Sequence, residues 1–318
     1  MSIFLATALV LVGFVLLIWS ADVLVDNASE LAGKLGVSTF LIGVVIVGFG
    51  TSAPELFVSA MAALENKGNL ALGNALGSNI TNIGLVLGAA ALVRVMPVER
   101  ATATRDIPVV LGAGIVSILL VLDGTLSQFD GLLLLTALAA YLIYSATKST
   151  SSDVVAAEAA IAEGNSDNPL IKSLLWTVGS IIILMLASRI LVTGAIAIAE
   201  YFEVSELIIG LTIVAIGTSL PELAAAVAAA RKGVHDMIIG NIIGSNVFNT
   251  LGVLGLTGAL RATEIDRGGL IRDFPIMFVF TVLMLIFAAS RRQFDRVEGG
   301  ILLAGYFAYL GYLISSAS

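Results

Sequence analysis

Cysteine is absent from this 318-residue chain and histidine occurs once, at His235. The first absence excludes disulfides, thiolate metal sites and cysteine nucleophiles, and the second excludes an imidazole-rich metal centre. Any cation the protein binds must be held by oxygen. Charge is scarce as well: 12% of residues are charged, about half the share usual in soluble domains. The net charge of −7, the pI near 4.7 and the lack of any basic cluster beyond two or three residues argue against a nucleic-acid partner. No His-Glu-x-x-His, Gly-x-Ser-x-Gly or Gly-x-x-x-x-Gly-Lys occurs, so an intramembrane enzyme is disfavoured and no cofactor is expected.

What is present is apolar sequence, 58% of the chain, with a mean hydropathy of +1.04. Blocks long enough to cross a bilayer, roughly 17 to 25 residues each, lie at 3–25, 37–64, 70–93, 107–122, 131–147, 171–199, 204–230, 237–259, 273–289 and 300–315. They predict an all-α, polytopic membrane protein of about ten transmembrane helices. The first block is not read as a cleaved signal, because no Lys or Arg precedes it, it runs directly into SADVLVDNASE, and it has a counterpart at 171–199. Of two Asn-x-Ser/Thr sequons, at Asn27 and Asn79, the second falls at membrane depth, beyond a glycosylating enzyme.

The chain is duplicated. GTSAPE at Gly50–Glu55 returns as GTSLPE at Gly217–Glu222, and GNALGSNITN ending at Asn82 returns as GNIIGSNVFN ending at Asn249, both offset by 167 residues. Arg105-Asp106-Ile107-Pro108 matches Arg272-Asp273-Phe274-Pro275, and Val37-Ser38 matches Val204-Ser205, at the same offset. Residues 1–147 and 170–318 are therefore expected to be two copies of one five-helix unit. The polar stretch 148–169 is read as a cytoplasmic linker with an Ala-rich middle that suits a short surface helix. Five spans per copy is an odd number, so the second copy must lie upside down relative to the first. Eleven Lys and Arg in short loops, among them Lys34, Arg94, Arg105, Lys148, Lys172, Lys232 and Arg291, fall on one side, against Lys67, Arg261, Arg267 and Arg272 on the other. The richer side is expected to be cytoplasmic, with both termini outside. Inverted repeats are the common plan of secondary transporters, whose substrate binds near the midplane where the copies meet.

A carboxylate at that depth costs several kcal/mol and usually marks an ion path. A single glutamate in an apolar stretch is as often a helix-end residue reaching the headgroups; Glu55 and Glu222, in identical settings, argue against that. Proline precedes each and releases the carbonyl four positions earlier, that of Gly50 or Gly217. Such a carbonyl must be satisfied by a cation, a Ser/Thr hydroxyl or a neighbouring helix. Thr51, Ser52, Thr218 and Ser219 add hydroxyls on the same turns. Gly73 and Gly77, like Gly240 and Gly244, stand four apart and permit close backbone approach. Asn74, Ser78 and Asn82, repeated as Asn241, Ser245 and Asn249, form a stripe of side-chain oxygens beside them. The stripe serves either interhelical hydrogen bonding or an ion cage completed by Ser78, Asn82, Ser245 and Asn249. Two ionised glutamates match one Ca2+ or two Na+ and would repel an anion. A channel would also use such a pair, but competition between small cations for one acidic cage is what an exchanger needs.

The doubled GTS(x)PE and GN(x)xGSN motifs resemble the sodium/calcium exchangers of the calcium:cation antiporter superfamily, in their short prokaryotic form, over nearly the whole chain. The resemblance implies ten helices with the second, third, seventh and eighth around the ions and the first and sixth sliding against them. It implies calcium ligands at Glu55, Glu222 and the carbonyls of Thr51 and Thr218. Sodium sites would draw on Ser52, Ser78, Ser219, Ser245 and the backbone at Gly48 and Ala215, and the central polar pair would be Asn82 and Asn249. The implied activity is Ca2+/Na+ antiport across the cytoplasmic membrane of a prokaryote, with the lipid bilayer as surroundings. Some relatives, including potassium-dependent ones, carry aspartate where Asn249 stands, which makes potassium dependence less expected. Proton-coupled relatives place their glutamate in GNxxE, where this chain has glycine; that favours sodium, although Glu55 and Glu222 could carry H+ when the cage is empty.

Overall fold

A computed structural model of the chain describes residues 1–147, 169–204, 209–266 and 269–317. Apart from Pro169, the linker expected at 148–169 lies outside the described residues, as do Ser205 and Arg267. Among the described residues, eight continuous helices are long and apolar enough to cross a membrane: α1 (Ile3–Leu35), α3 (Gly68–Val93), α4 (Thr102–Leu120), α5 (Gln128–Thr147), α6 (Leu170–Tyr201), α8 (His235–Leu260), α9 (Leu270–Arg291) and α10 (Arg296–Ser316). Two more spans are broken. Helix α2 consists of Thr39–Thr51 and Ala53–Leu64 with a 44° bend, and α7 of Thr212–Thr218 and Leu220–Lys232 with a 57° bend. These spans make a polytopic bundle of up to ten transmembrane helices.

Helix ends follow local chemistry. Ser2 and Ser38 cap α1 and α2 by accepting the N–H groups of Leu5 and Leu41. Gly36, with φ of +64°, closes α1 in a left-handed turn whose N–H returns to Ala32. Helix α1 continues ten residues past its apolar block because Asp22, Asp26, Glu30 and Lys34 recur every four residues, while Leu24, Val25, Ala28, Leu31 and Ala32 are buried between them. It packs along α6, and the two together flank the centre.

Helices α2, α3, α7 and α8 touch one another in the middle of the molecule. Helix α8 is buried along its apolar length and α3 along most of it, whereas α1, α5 and α10 present large apolar side chains such as Phe4, Phe14, Phe129 and Phe307 to the outside. In a bilayer the centre gains little from leaving water, so packing of small residues decides it; Ala225, Ala226, Ala228, Ala229 and Ala230 fill it from α7.

Among the described residues, four two-residue strands join the copies: β1 (Met96–Pro97) follows α3, β2 (Thr125–Leu126) follows α4, β3 (Thr263–Glu264) follows α8, and β4 (Gln293–Phe294) follows α9. β1 pairs with β4 and β2 with β3, both antiparallel. Helix α4 separates β1 from β2, so α3 ends on the β1/β4 face of the molecule and α8 on the β2/β3 face. Matching helices of the two copies thus run in opposite directions, as the odd span count requires.

Among the described residues, six π-helical turns repeat with the same symmetry: Gly43–Val47 and Gly210–Val214, Asn82–Leu87 and Phe248–Val253, and Thr102–Asp106 and Gly269–Asp273. Each inserts one extra residue into a helical turn and rotates the side chains that follow, a device common at functional sites. The last pair corrects the assignment of Arg105 and Arg272 to loops: both lie within the π turns that open α4 and α9.

Candidate ion-binding site

The breaks in α2 and α7 fall on Ser52 (φ −86°, ψ 0°) and Ser219 (φ −95°, ψ 9°). After each break a new helix starts with proline in its first turn, where the missing N–H leaves no intrahelical bond unmade. Glu55 and Glu222 occupy the same first turns, so the partial positive end of each new helix points toward its carboxylate. The sequence thus builds the same device twice: serine to break, proline to restart, glutamate to sit at the restart.

Both glutamates are buried, at 1% and 2% exposure. They face the same interior: Glu222 lies within electrostatic range of Glu55, and the Thr51 hydroxyl from the opposite copy reaches its carboxylate. Among the described residues, thirteen buried side-chain atoms have no hydrogen-bond partner in the protein, and eight of them are on Ser52, Glu55, Asn82, Ser219, Glu222 and Asn249. Buried polar atoms are rarely left so. Both oxygens of Glu55 and both polar atoms of Asn82 are in this group. Two unpaired buried carboxylates would be costly, whereas hard cations take six or more oxygens from carboxylates, carbonyls, amides and water. No three acidic or imidazole groups converge among the described residues, so neutral oxygens must complete any such shell.

The remaining expected residues divide between two settings. Ser245 donates a long hydrogen bond to the Gly48 carbonyl (3.4 Å), and Asn241 Oδ1 accepts from Ser245 and Thr51, both at 3.4 Å. Ser78 and Thr218, by contrast, line an open cavity of about 350 Å3 together with Asn69, Asn74, Arg272 and Asp273. Asn74 itself holds α3 to α2, donating to Ser59 Oγ (2.9 Å) and the Glu55 carbonyl (3.3 Å). Interhelical bonding therefore accounts for Asn74. Ala215 opens the last turn before the α7 break.

Of the three ways left open for the Gly217 carbonyl, the structure shows a hydroxyl from a neighbouring helix: Ser188 of α6 donates to it at 2.8 Å. The position corresponding to Ser188 in the first copy is Ala21, which supplies no hydroxyl to Gly50. Sequence patterns also missed the buried pair Asn79 and Asn246, which follows the motif serines. Asn79 donates to Thr250 Oγ1 (2.7 Å) and ties α3 to α8, and it contacts Met277 of α9. Its depth agrees with the dismissal of its sequon. Its repetition at the 167-residue offset was the available signal.

The family model described as sodium/calcium exchanger protein matches residues 5–147 and 172–315. The inner membrane protein YrbG of Escherichia coli is 40% identical over 97% of both chains. The sodium/calcium exchanger MaX1 of Methanosarcina acetivorans is 30% identical over 95% of this chain and 96% of its own. A solved structure of the sodium-calcium exchanger NCX_Mj superposes with a TM-score of 0.85 at 30% identity, covering 98% of this chain and all of that one.

Proposed function

Because the chain belongs to the sodium/calcium exchanger family of membrane antiporters, we propose that it exchanges Ca2+ for Na+ by alternating access, with the ions held between Glu55 and Glu222. The observation that carries this reading is the pair of buried carboxylates at matching helix breaks, surrounded by unpartnered side-chain oxygens. Their combined charge of about −2 is neutralised by one Ca2+ or two Na+, and neither ion can share the cage with the other at low cost. Competition for one site makes the movement of each ion depend on the other.

In this reading Glu55 and Glu222 bind Ca2+ with the carbonyls of Thr51 and Thr218. Ser52, Ser78, Ser219, Ser245 and the carbonyls of Gly48 and Ala215 serve Na+, and Asn82 and Asn249 bridge the two copies. The excess of Lys and Arg supports a cytoplasmic β1/β4 face. Both termini and the mouth of the cavity then lie outside the cytoplasm. H+ coupling is the second reading, favoured because neither Glu55 side-chain oxygen has a hydrogen-bond partner among the described residues and a proton would also cancel its charge.

Proteoliposomes loaded with Na+ should take up Ca2+ when diluted into Na+-free medium, and vesicles carrying only a pH gradient should not. Uptake driven equally by the pH gradient would assign the coupling to H+. Undiminished uptake by Glu222→Gln would remove the site altogether.

A further inference from the structure

The duplicated Arg-Asp-x-Pro sequence takes no part in the ion cage, yet its first two residues form the same structure in both copies. Arg105 donates to both carboxylate oxygens of Asp106 at 2.8 and 3.0 Å, and Arg272 to those of Asp273 at 2.7 and 3.0 Å. Such a fork is the strongest geometry available to this pair of groups. The aspartate side chains are 5% and 10% exposed. Bonding between adjacent residues joins no helices, and uncharged residues would open α4 and α9 without the cost of desolvating two charges. Neither aspartate side chain caps its helix, and the one interhelical bond of the pairs among the described residues, from Tyr309 to Asp273, needs no arginine in the pair.

Its position suggests a role. Arg272 and Asp273 line the cavity that also reaches Asn74, Ser78 and Thr218, and the Tyr309 hydroxyl donates to Asp273 at 3.1 Å. A cation using this cavity to reach Ser78 and Thr218 would pass the pair. A lone aspartate here would be a third acid, holding cations short of the cage; a lone arginine would repel them. Applied to the cavity, the 167-residue offset puts Arg105 and Asp106 at the corresponding place on the β1/β4 face.

We propose that the Arg272–Asp273 pair sets the electrostatic potential of the cavity on the β2/β3 face, and the Arg105–Asp106 pair that of the opposite path, so that each governs cation entry from one side only. The pairs are specificity elements and not ion ligands. The transport part of this proposal rests on the exchanger reading; the potential itself does not.

The natural lack of cysteine allows a direct test. Gly73→Cys places a single thiol in the cavity at a position where an added Cβ meets nothing within 4 Å. Its modification rates with a trimethylammonium and a sulfonate methanethiosulfonate report the local potential in reconstituted full-length protein. Relative to this parent, the cationic-to-anionic rate ratio should fall about fourfold in Asp273→Asn and rise about fourfold in Arg272→Gln. Arg272→Lys, and the double variant lacking both charges, should return it to the parent value. In uptake from the β2/β3 face, the KM for Ca2+ should rise in Asp273→Asn and fall in Arg272→Gln at constant kcat. Asp106→Asn and Arg105→Gln should act only when Ca2+ is supplied to the other face. Unchanged rate ratios, or ratios displaced in the same direction by both single variants, would overturn the proposal. Rate ratios that move as expected in a protein without Na+-driven Ca2+ uptake would support the potential while refuting the exchanger reading.

Discussion

The two copies share a motif but not a packing state. Gly240 and Gly244 of α8 lie against α2 so closely that a Cβ on either would collide with the carbonyl oxygens of Phe40 and Val44. Their counterparts on α3, Gly73 and Gly77, have nothing within 4 Å of that position and border the cavity of about 350 Å3. Near the closely packed pair lies a void of only about 10 Å3, between Val47, Met237, Asn241 and alanines of α7. One sequence device has thus been used in two ways in one molecule. The glycines permit contact without dictating when it forms; under the proposed alternating access, exchanging the roles of the two pairs would open one path and close the other.

That contrast is weakest at the two glutamates, which occupy matching helix starts and are equally buried. Glu55→Gln and Glu222→Gln should each lower Ca2+ uptake at least about 10²-fold, since removing one partner of a buried charge set costs about 3–5 kcal/mol. Unequal losses in a flux assay would indicate that the site belongs mainly to one copy.

The contrast should be sharpest at the glycines. Gly244→Ala should destabilise the present conformer by about 1–3 kcal/mol, the usual cost of overpacking. Gly77→Ala should leave this conformer intact and obstruct only the alternative one. Thiol accessibility from each face, measured in the two backgrounds, would register the difference. Equal effects would mean that the closed packing does not hold the gate.

Smaller effects are expected where one copy has a bond that the other lacks. Ser188→Ala should remove about 1 kcal/mol from the present arrangement of α6 on α7. Ala21→Ser should favour the opposite arrangement, with apparent Na+ affinities from the two faces shifting in opposite senses. The Lys232–Asp26 pair (2.6 Å), joining α7 to α1, has no counterpart because the residue matching Lys232 is Glu65, which pairs with Lys67. Asp26→Asn should shift the conformer balance by less than about 1 kcal/mol and remove part of its salt dependence, read from the same accessibility ratio.

Span count, inversion and the placement of Glu55 and Glu222 at matching helix breaks were legible in the sequence, because apolar blocks, an odd repeat and proline-glutamate pairs act locally. Helix ends were less legible. The apolar block of α1 stops near residue 25, but its buried stripe continues beneath Asp26 and Glu30, and hydropathy averages the two faces together. The π turns left no trace in composition, since an extra residue in a turn changes register and not polarity. Ser188 was hidden for another reason: the partner of the carbonyl released by Pro221 lies 29 residues before Gly217 on a different helix, and only tertiary packing brings them together. Nor could a repeat reveal which glycine pair is in contact, because both copies carry the same glycines.

Equilibrium Ca2+ binding to the purified protein, titrated at increasing Na+, tests the central claim most directly. A single shared cage predicts one Ca2+ per chain, displaced competitively and completely by Na+. Two independent Ca2+ sites, or one that Na+ does not displace, would contradict it.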